Sequence, residues 1–283
     1  MNHILLVDGM ALLFRGFYAT AFRRNFMENT NGVPTNGIFQ YMRYLFHAIH
    51  KFQPTHVISC WDLGKDTFRT ELYESYKANR EDPPKALVPQ FSLIQKVMDA
   101  YEIPNVSLQN YEADDCIGTL AETYKNEHLV TILSGDQDFR QLVDKHVQLA
   151  LMLRGQGNYQ LYTNDNFYDL VGITPEQIID KKALMGDSAD NYPGVKGIGK
   201  KTALKFIKQY GSIDRLLESM DGLTESMQKR LTDNLEILYL SKELATIKRQ
   251  LPLKLPVEQA LFAYEEATVR ERLKKLALEH VMV

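Results

Sequence analysis

The sequence predicts an α/β protein: a parallel sheet flanked by helices, continuing into a basic helical half. Three observations carry this. The apolar runs Ile4–Val7, His56–Trp61 and Leu129–Leu133 are too short for globular helices, are rich in Val and Ile, and stop at acidic or turn residues. Longer segments with helical character, residues 38–52, 88–101 and 113–125, lie between them, and strands alternating with helices imply a parallel sheet. Residues 1–180 carry 15 Lys and Arg against 22 Asp and Glu, a net of −7, whereas residues 181–283 carry 18 against 14, a net of +4; the whole chain sums to −3.

The elements follow in order. Ile4–Val7 runs into Asp8-Gly9, His56–Trp61 into Asp62, and Leu129–Leu133 into Ser134-Gly135-Asp136. Ligands of such sheets bind at the carboxyl ends of the strands, where Asp8, Asp62 and Asp136 fall. An aspartate also opens turns after strands; three strands behaving alike favour a site. Past residue 160 the pattern turns helical. Thr174-Pro175-Glu176-Gln177 reads as a capping box with proline at the first helical position. Helices are expected over 202–210 and 213–220, and a charged helical tail over 265–283. The change of character falls within residues 172–186, giving units of 1–175 and 176–283.

Composition excludes several classes. At 283 residues the chain suits about two domains. Its 45% apolar and 24% charged residues argue against extended disorder. Two cysteines, Cys60 and Cys116, exclude a disulfide scaffold and a Cys-rich zinc site. The N-terminus lacks the basic start and long apolar run of a signal peptide, and no stretch approaches a membrane span. A cytoplasmic protein with no membrane partner is the expectation.

The acids are clustered: Glu112-Ala113-Asp114-Asp115, Asp136-Gln137-Asp138 and Asp187-Ser188-Ala189-Asp190. Neighbouring carboxylates raise one another's pKa, and divalent cations offset that cost. Oxygen ligands without nearby Cys or His suit magnesium or manganese. Glu112 and Asp115, three apart, can share a helix face. Asp136 and Asp138 point the same way in an extended segment, and Asp187 and Asp190 are spaced for a helical turn. With Asp8 and Asp62 these exceed what one magnesium needs, so two cations ~4 Å apart, the arrangement that hydrolyses phosphodiesters, is the economical reading. N-caps and surface charges account for any one cluster alone.

Gly194-Val195-Lys196-Gly197-Ile198-Gly199-Lys200-Lys201 has glycines that permit a tight turn and close phosphate approach, followed by a helix whose N-terminus favours an anion. It is no Walker A loop, because Lys201 stands where Ser or Thr is required and no strand precedes it; the glycine order also fails the dinucleotide fingerprint. A helix–hairpin–helix gripping a DNA backbone remains, beside a plain glycine-capped turn. The run from Phe68 to Arg80 interleaves aromatics with Lys and Arg, which suits base stacking beside phosphates. It equally reads as an amphipathic helix with Phe68, Leu72 and Tyr76 as a core stripe.

Together and in order, Val7-Asp8-Gly9, Trp61-Asp62, Thr67-Phe68-Arg69 with Tyr76-Lys77-Ala78-Asn79-Arg80, Tyr111-Glu112-Ala113-Asp114-Asp115, Ser134-Gly135-Asp136-Gln137-Asp138, Met185-Gly186-Asp187-Ser188-Ala189-Asp190-Asn191 and the glycine hairpin resemble one family. This is the bacterial and phage 5′-nucleases, the 5′-3′ exonucleases and flap endonucleases, which include the N-terminal nuclease domain of DNA polymerase I. The second motif usually reads Phe-Asp; Trp61 departs from it and leaves the acid in place. A standalone member, with no polymerase domain fused to it, is the expectation.

The resemblance implies a PIN-like parallel-sheet nuclease domain with a helical arch over about 77–95, then an all-helical helix–hairpin–helix (H3TH, SAM-like) domain. It implies a first metal centre of Asp8, Asp62, Glu112, Asp114 and Asp115, and a second of Asp136, Asp138, Asp187 and Asp190. Lys77 and Arg80 would contact the scissile phosphate, Tyr76 would stack on a base, and Arg15 and Lys201 would contact DNA. Gly194, Lys196, Gly197, Gly199 and Lys200 would hold duplex DNA, with a potassium ion at the hairpin. Two Mg2+ ions, replaceable by Mn2+, would serve cleavage of DNA with 5′ flaps, nicks or ends, RNA-primed strands included. A monomer acting in replication and repair and leaving 5′-phosphates is implied. A haloacid-dehalogenase-like phosphatase is disfavoured because Met10 stands where its motif needs a second Asp. A non-catalytic DNA-binding protein is disfavoured because it gains nothing from acids near phosphates.

Overall fold

The computed structural model describes residues 1–21 and 26–283. Its centre is a six-stranded sheet in the order β3-β2-β1-β4-β5-β6. The strands are β1 (His3–Asp8), β2 (His56–Cys60), β3 (Asn105–Val106), β4 (Leu129–Ser134), β5 (Val147–Met152) and β6 (Tyr159–Tyr162). All adjacent pairs are parallel except β5 with β6. β1 faces Val57–Cys60 on one side and Val130–Leu133 on the other, so the strand order turns away in both directions from β1 and leaves a crevice at the β1/β4 carboxyl ends.

Side chains alternate between two cores, as a sheet covered on both faces requires. Leu5 and Val7 pack with helices α1 (Gly9–Thr20), α2 (Asn36–Phe52) and α4 (Val88–Ala100). Ile4 and Leu6 pack with α5 (Ala113–Tyr124) and with the later helices. Between β2 and α4 comes the short α3 (Phe68–Leu72), and after β6 the short α6 (Phe167–Val171). Beneath β2, Trp61 stacks on Tyr41 with ring centroids 6.0 Å apart and donates its indole N–H to Asn105 Oδ1 (2.7 Å).

The helical half contains α7 (Gln177–Met185), α8 (Lys200–Tyr210), α9 (Ile213–Glu218), α10 (Glu225–Asp233) and α11 (Leu235–Ala245). The capping expectation at 174–177 holds in its reciprocal bond, Thr174 N donating to Gln177 Oε1 (2.9 Å), although α7 itself begins at Gln177. The half is not wholly helical. Two short strands, β7 (Gly186–Asp187) and β8 (Tyr192–Pro193), form an antiparallel hairpin between α7 and α8. Nor does all of 176–283 pack together. The last helix, α12 (Glu266–Lys275), returns to the other face of the sheet, where Val269, Leu273, Leu278 and Val281 join the α2/α4 core. Arg272 ties it down through Ala100 O (3.1 Å) and Glu102 (3.0 Å).

Residues 77–95 run as turns to residue 79, an extended stretch holding Pro83 and Pro84, and the first turns of α4. Two prolines in sequence prevent a helix from starting earlier. Among the described residues no helix is long and apolar enough to cross a membrane.

The fold places Leu6 wholly inside the α5-side core. Leu6→Ala is expected to cost about 2–5 kcal/mol of unfolding free energy, measured by urea denaturation.

Candidate active site

Each acid is delivered by a local backbone solution. Asp8 ends β1 and is also the N-cap of α1, accepting from Ala11 N (2.9 Å). Its other oxygen accepts from Ser134 Oγ (2.5 Å), the adjacent strand end, and that hydroxyl accepts in turn from Asp136 N (3.0 Å). Asp62 accepts from Ala113 N (2.6 Å) at the start of α5. Asp8 and Asp62 thus sit at helix N-termini, as do Glu112, the N-cap of α5, and Asp114 and Asp115 in its first turn, where unpaired N–H groups and the helix dipole favour negative charge.

The second group is built differently from the sequence expectation. Asp136 and Asp138 are not in an extended segment: Asp136 Oδ1 accepts from Asp138 N (2.8 Å), and Asp138 opens a 3-10 turn. Asp187 and Asp190 are not on a helix: Asp187 ends β7 and Asp190 lies in the turn of the β7–β8 hairpin, where Asp187 Oδ1 accepts from Ala189 N (2.7 Å). One carboxylate oxygen from each of Asp138, Asp187 and Asp190 lies within 4.8 Å of the other two.

Seven of the nine expected acids, Asp8, Asp62, Glu112, Asp114, Asp136, Asp138 and Asp187, line one cleft of about 1030 Å³. Asp190 joins its edge through the triad just described. Asp115 does not reach it. It is fully buried behind Glu112, and both of its oxygens are taken by Arg69 (2.7 and 2.8 Å), Glu112 N (3.1 Å) and Lys248 N (2.9 Å). Adjacent residues on a helix point about 100° apart, so Asp114 and Asp115 cannot both face the cleft.

Cations border the acids. Lys77 Nζ bonds Glu112 Oε1 (2.6 Å), and Arg80 Nη2 bonds Asp190 Oδ1 (2.7 Å). Lys77 has a left-handed backbone, φ +55°, and its N–H donates to Asp190 O (2.8 Å). Asn79 and Asn191 add side-chain bonds to Ser188 O (3.0 Å) and Ser75 O (2.6 Å), stitching the turns at 74–80 to the hairpin tip. Lys182, on α7, bridges Asp138 and Asp187, the latter at 2.6 Å. Nothing in the sequence pattern marks Lys182, Ser134 or Arg69 as partners of the acids; each is joined to them only by the fold.

Burial and crowding shape the ionisation. Burial, with Asp62 and Asp136 nearby, pushes Asp8 up to about 6 against its bonds from Ser134 and Ala11. Burial and the Asp136 charge push Asp138 up to about 7 despite Lys182. Asp62 and Asp114 are also raised, chiefly by burial. Burial would raise Asp187 too, but its bonds from Lys182 and the hairpin amides outweigh that and hold it low.

Tyr76, expected to stack on a base, is buried; its ring stacks on Tyr192 (6.4 Å) and its hydroxyl donates to Glu112 (3.2 Å). Arg15 is half-buried outside the cleft, bonding the carbonyls of Leu153 and Gly155 at the β5–β6 turn. The glycine hairpin separates into three cases. Gly194 is a packing requirement, since a Cβ there would collide with the backbone of Gly186 and Met185 in the β7–β8 ladder. Gly197 needs its left-handed φ of +86°. Gly199 opens onto free space at the uncapped N-terminus of α8, with Lys196, Lys200 and Lys201 exposed around it and Lys200 on the rim of the cleft.

Oxygen ligands converging at a switch point, with lysine and arginine set beside them and a cationic helix start at the rim, define a metal-dependent nuclease. Residues 3–172 match the family described as 5′-3′ exonuclease, N-terminal resolvase-like domain, and residues 173–269 match 5′-3′ exonuclease, C-terminal SAM fold. The chain belongs to the 5′-3′ exonuclease family. It is 48% identical to the 5′-3′ exonuclease of Bacillus subtilis over 97% of this chain and 93% of that one. It is 40% identical to DNA polymerase I of Lactococcus lactis subsp. cremoris over 92% of this chain, and spans 30% of the polymerase's length. The zinc-bound T5 5′-exonuclease shares the fold, with a TM-score of 0.69 and 23% identity over 99% of this chain and 100% of that one.

Asp8 and Asp138 are raised above the unfolded value of about 3.9. The folded state therefore holds the extra protons, and these groups subtract stability as pH rises from about 4 through 7. A divalent cation held among these acids would relieve that loss. The rise in melting temperature on exchanging chelator for Mg2+ is expected to be larger at pH 8 than at pH 5.

Proposed function

We propose that this protein is a structure-specific 5′-nuclease that hydrolyses DNA phosphodiesters as a 5′-3′ exonuclease and flap endonuclease. The observation that carries the reading is the gathering of Asp8, Asp62, Glu112, Asp114 and Asp136 with the Asp138, Asp187 and Asp190 triad around one cleft that Lys77 and Arg80 border. The 48% identity to a chain named 5′-3′ exonuclease supports it.

The donor set fits two divalent cations. It is oxygen-only, it is buried and crowded enough to hold protons on Asp8 and Asp138, and it divides into a strand-end group and a hairpin group. Asp8, Asp62, Glu112 and Asp114 would hold one cation; Asp138, Asp187 and Asp190 would hold the other, with Asp136 between them. Magnesium suits this set, and manganese would substitute. Bound there, the cations would activate water for in-line attack and neutralise the phosphate.

The chain's own residues do the rest. Lys77 and Arg80 are held at the cleft by Glu112 and Asp190, and an arriving phosphate offers them a second anionic partner. The N–H groups of α8 beyond Gly199, with Lys196, Lys200 and Lys201, would grip one backbone of the duplex behind the cleavage point. The carbonyls of that turn would suit a potassium ion. Arg80, Glu81 and Pro83 line the cleft, and the segment over about 77–95 would be the arch by which a single strand passes. DNA with 5′ flaps, nicks or ends, RNA-primed strands included, is the substrate class, and primer removal and repair in the cytoplasm by a monomer is the setting.

Digestion of end-labelled 5′-flap duplex tests the reading. Cleavage should need Mg2+, stop in chelator and leave 5′-phosphates. Asp136→Ala and Asp187→Ala should each lower the rate by at least about a hundred-fold while duplex binding survives. Wild-type turnover by either variant would sink the two-cation assignment.

A further inference from the structure

Arg69 is among the largest side chains wholly inside the protein, at 2% exposure. A charge so deep is tolerated only when every donor is used, and here all five are. Nε donates to Leu244 O (3.0 Å); Nη1 to Glu112 Oε2 (3.0 Å) and Asp115 Oδ2 (2.7 Å); Nη2 to Asp115 Oδ1 (2.8 Å) and Thr246 O (2.8 Å).

Those partners belong to two parts of the molecule. Leu244 and Thr246 are at the end of α11, where helix carbonyls lack intrahelical donors and a cation is favourable. Glu112 and Asp115 cap α5 reciprocally at the edge of the cleft. Asp115 has no oxygen left to offer, since its four acceptor sites take the Arg69 fork, Glu112 N and Lys248 N. Glu112 differs: one oxygen is fixed by Arg69 and Tyr76, and the other is turned towards the cleft, where Lys77 meets it.

We propose that Arg69 is a positioning residue of the metal site, that Asp115 is its buried partner and not a cation ligand, and that the pair sets the direction of the Glu112 carboxylate. The proposal rests on the two-cation reading. Both residues would act on a cation only through Glu112, so removing either should do the same damage, and removing both should do no more.

The test is Mn2+ titration of the full chain without DNA, followed by electron paramagnetic resonance, with melting curves alongside. Arg69→Lys and Asp115→Asn should each weaken Mn2+ binding about ten-fold, the lower end of what loss of an outer partner of a metal ligand costs. The double variant should weaken it by the same factor. Arg69→Met with Asp115→Leu, which leaves no lone buried charge, serves if a single variant does not fold, and should show the same loss. Weakened binding in Asp115→Asn with unchanged affinity in Arg69→Lys would make Asp115 a ligand and overturn the proposal. Unchanged Mn2+ affinity in all folded variants, with only melting temperature lowered, would overturn it too. If the unaltered chain binds no Mn2+, the two-cation reading fails first and the proposal falls with it.

Discussion

Burying carboxylates side by side at the ends of adjacent strands costs free energy, and much of the structure around the β1/β4 crevice offsets that cost. Asp8 and Asp62 take helix N-termini. Ser134 donates to Asp8 across the strand pair, at the position that the register Val7 to Leu133 brings alongside. Lys182 stands between Asp138 and Asp187, Lys77 against Glu112, and Arg80 against Asp190. These contacts reduce the cost of burial and repulsion without removing it, because burial, with the neighbouring acids, still holds protons on Asp8 and Asp138 above the ordinary carboxylate range. A site left short of positive charge is a site that favours cations.

The same constraint explains why the helical half is not an appendage. The β7–β8 hairpin brings Asp187 and Asp190 to the sheet, and its tip is stitched to the turns carrying Lys77 and Arg80. The chain leaving α11 is held by Arg69 and by Gln141, whose amide donates to Ala245 O (3.0 Å) and accepts from Ile247 N (2.9 Å). Gln141 lies in the turn that begins at Asp138. One short segment is therefore bonded to a partner of each group of acids, while α8, three helices earlier, presents the exposed glycine turn at the rim.

Much of this was legible in the sequence because it is local. Short apolar runs ending in aspartate located β1, β2 and β4, and the acids at their ends do converge. What was not legible depends on distant pairing. Asp8-Gly9 reads as a turn, whereas Asp8 caps α1 directly, so strand and helix join without a loop. Spacing suggested a helical turn for Asp187 and Asp190, but the positive φ of Gly186 and Asn191 turns the chain into a hairpin. Tyr76 fits an aromatic–basic pattern for base stacking, yet Tyr192, more than a hundred residues away, takes its ring. Asp115 is chemically like its neighbours, and only the buried Arg69 sets it apart. The net charge of −3 also misleads, since the acids occupy the cleft while the lysines of the α8 turn face outward.

The central claim is that the acids form two cation sites, one at the strand ends and one at the hairpin. Diffraction from Mn2+-soaked crystals at the manganese absorption edge tests it most directly. The account expects two anomalous peaks, one among Asp8, Asp62, Glu112 and Asp114 and one among Asp138, Asp187 and Asp190, with none on Asp115. A single peak, or none within the cleft, would contradict it.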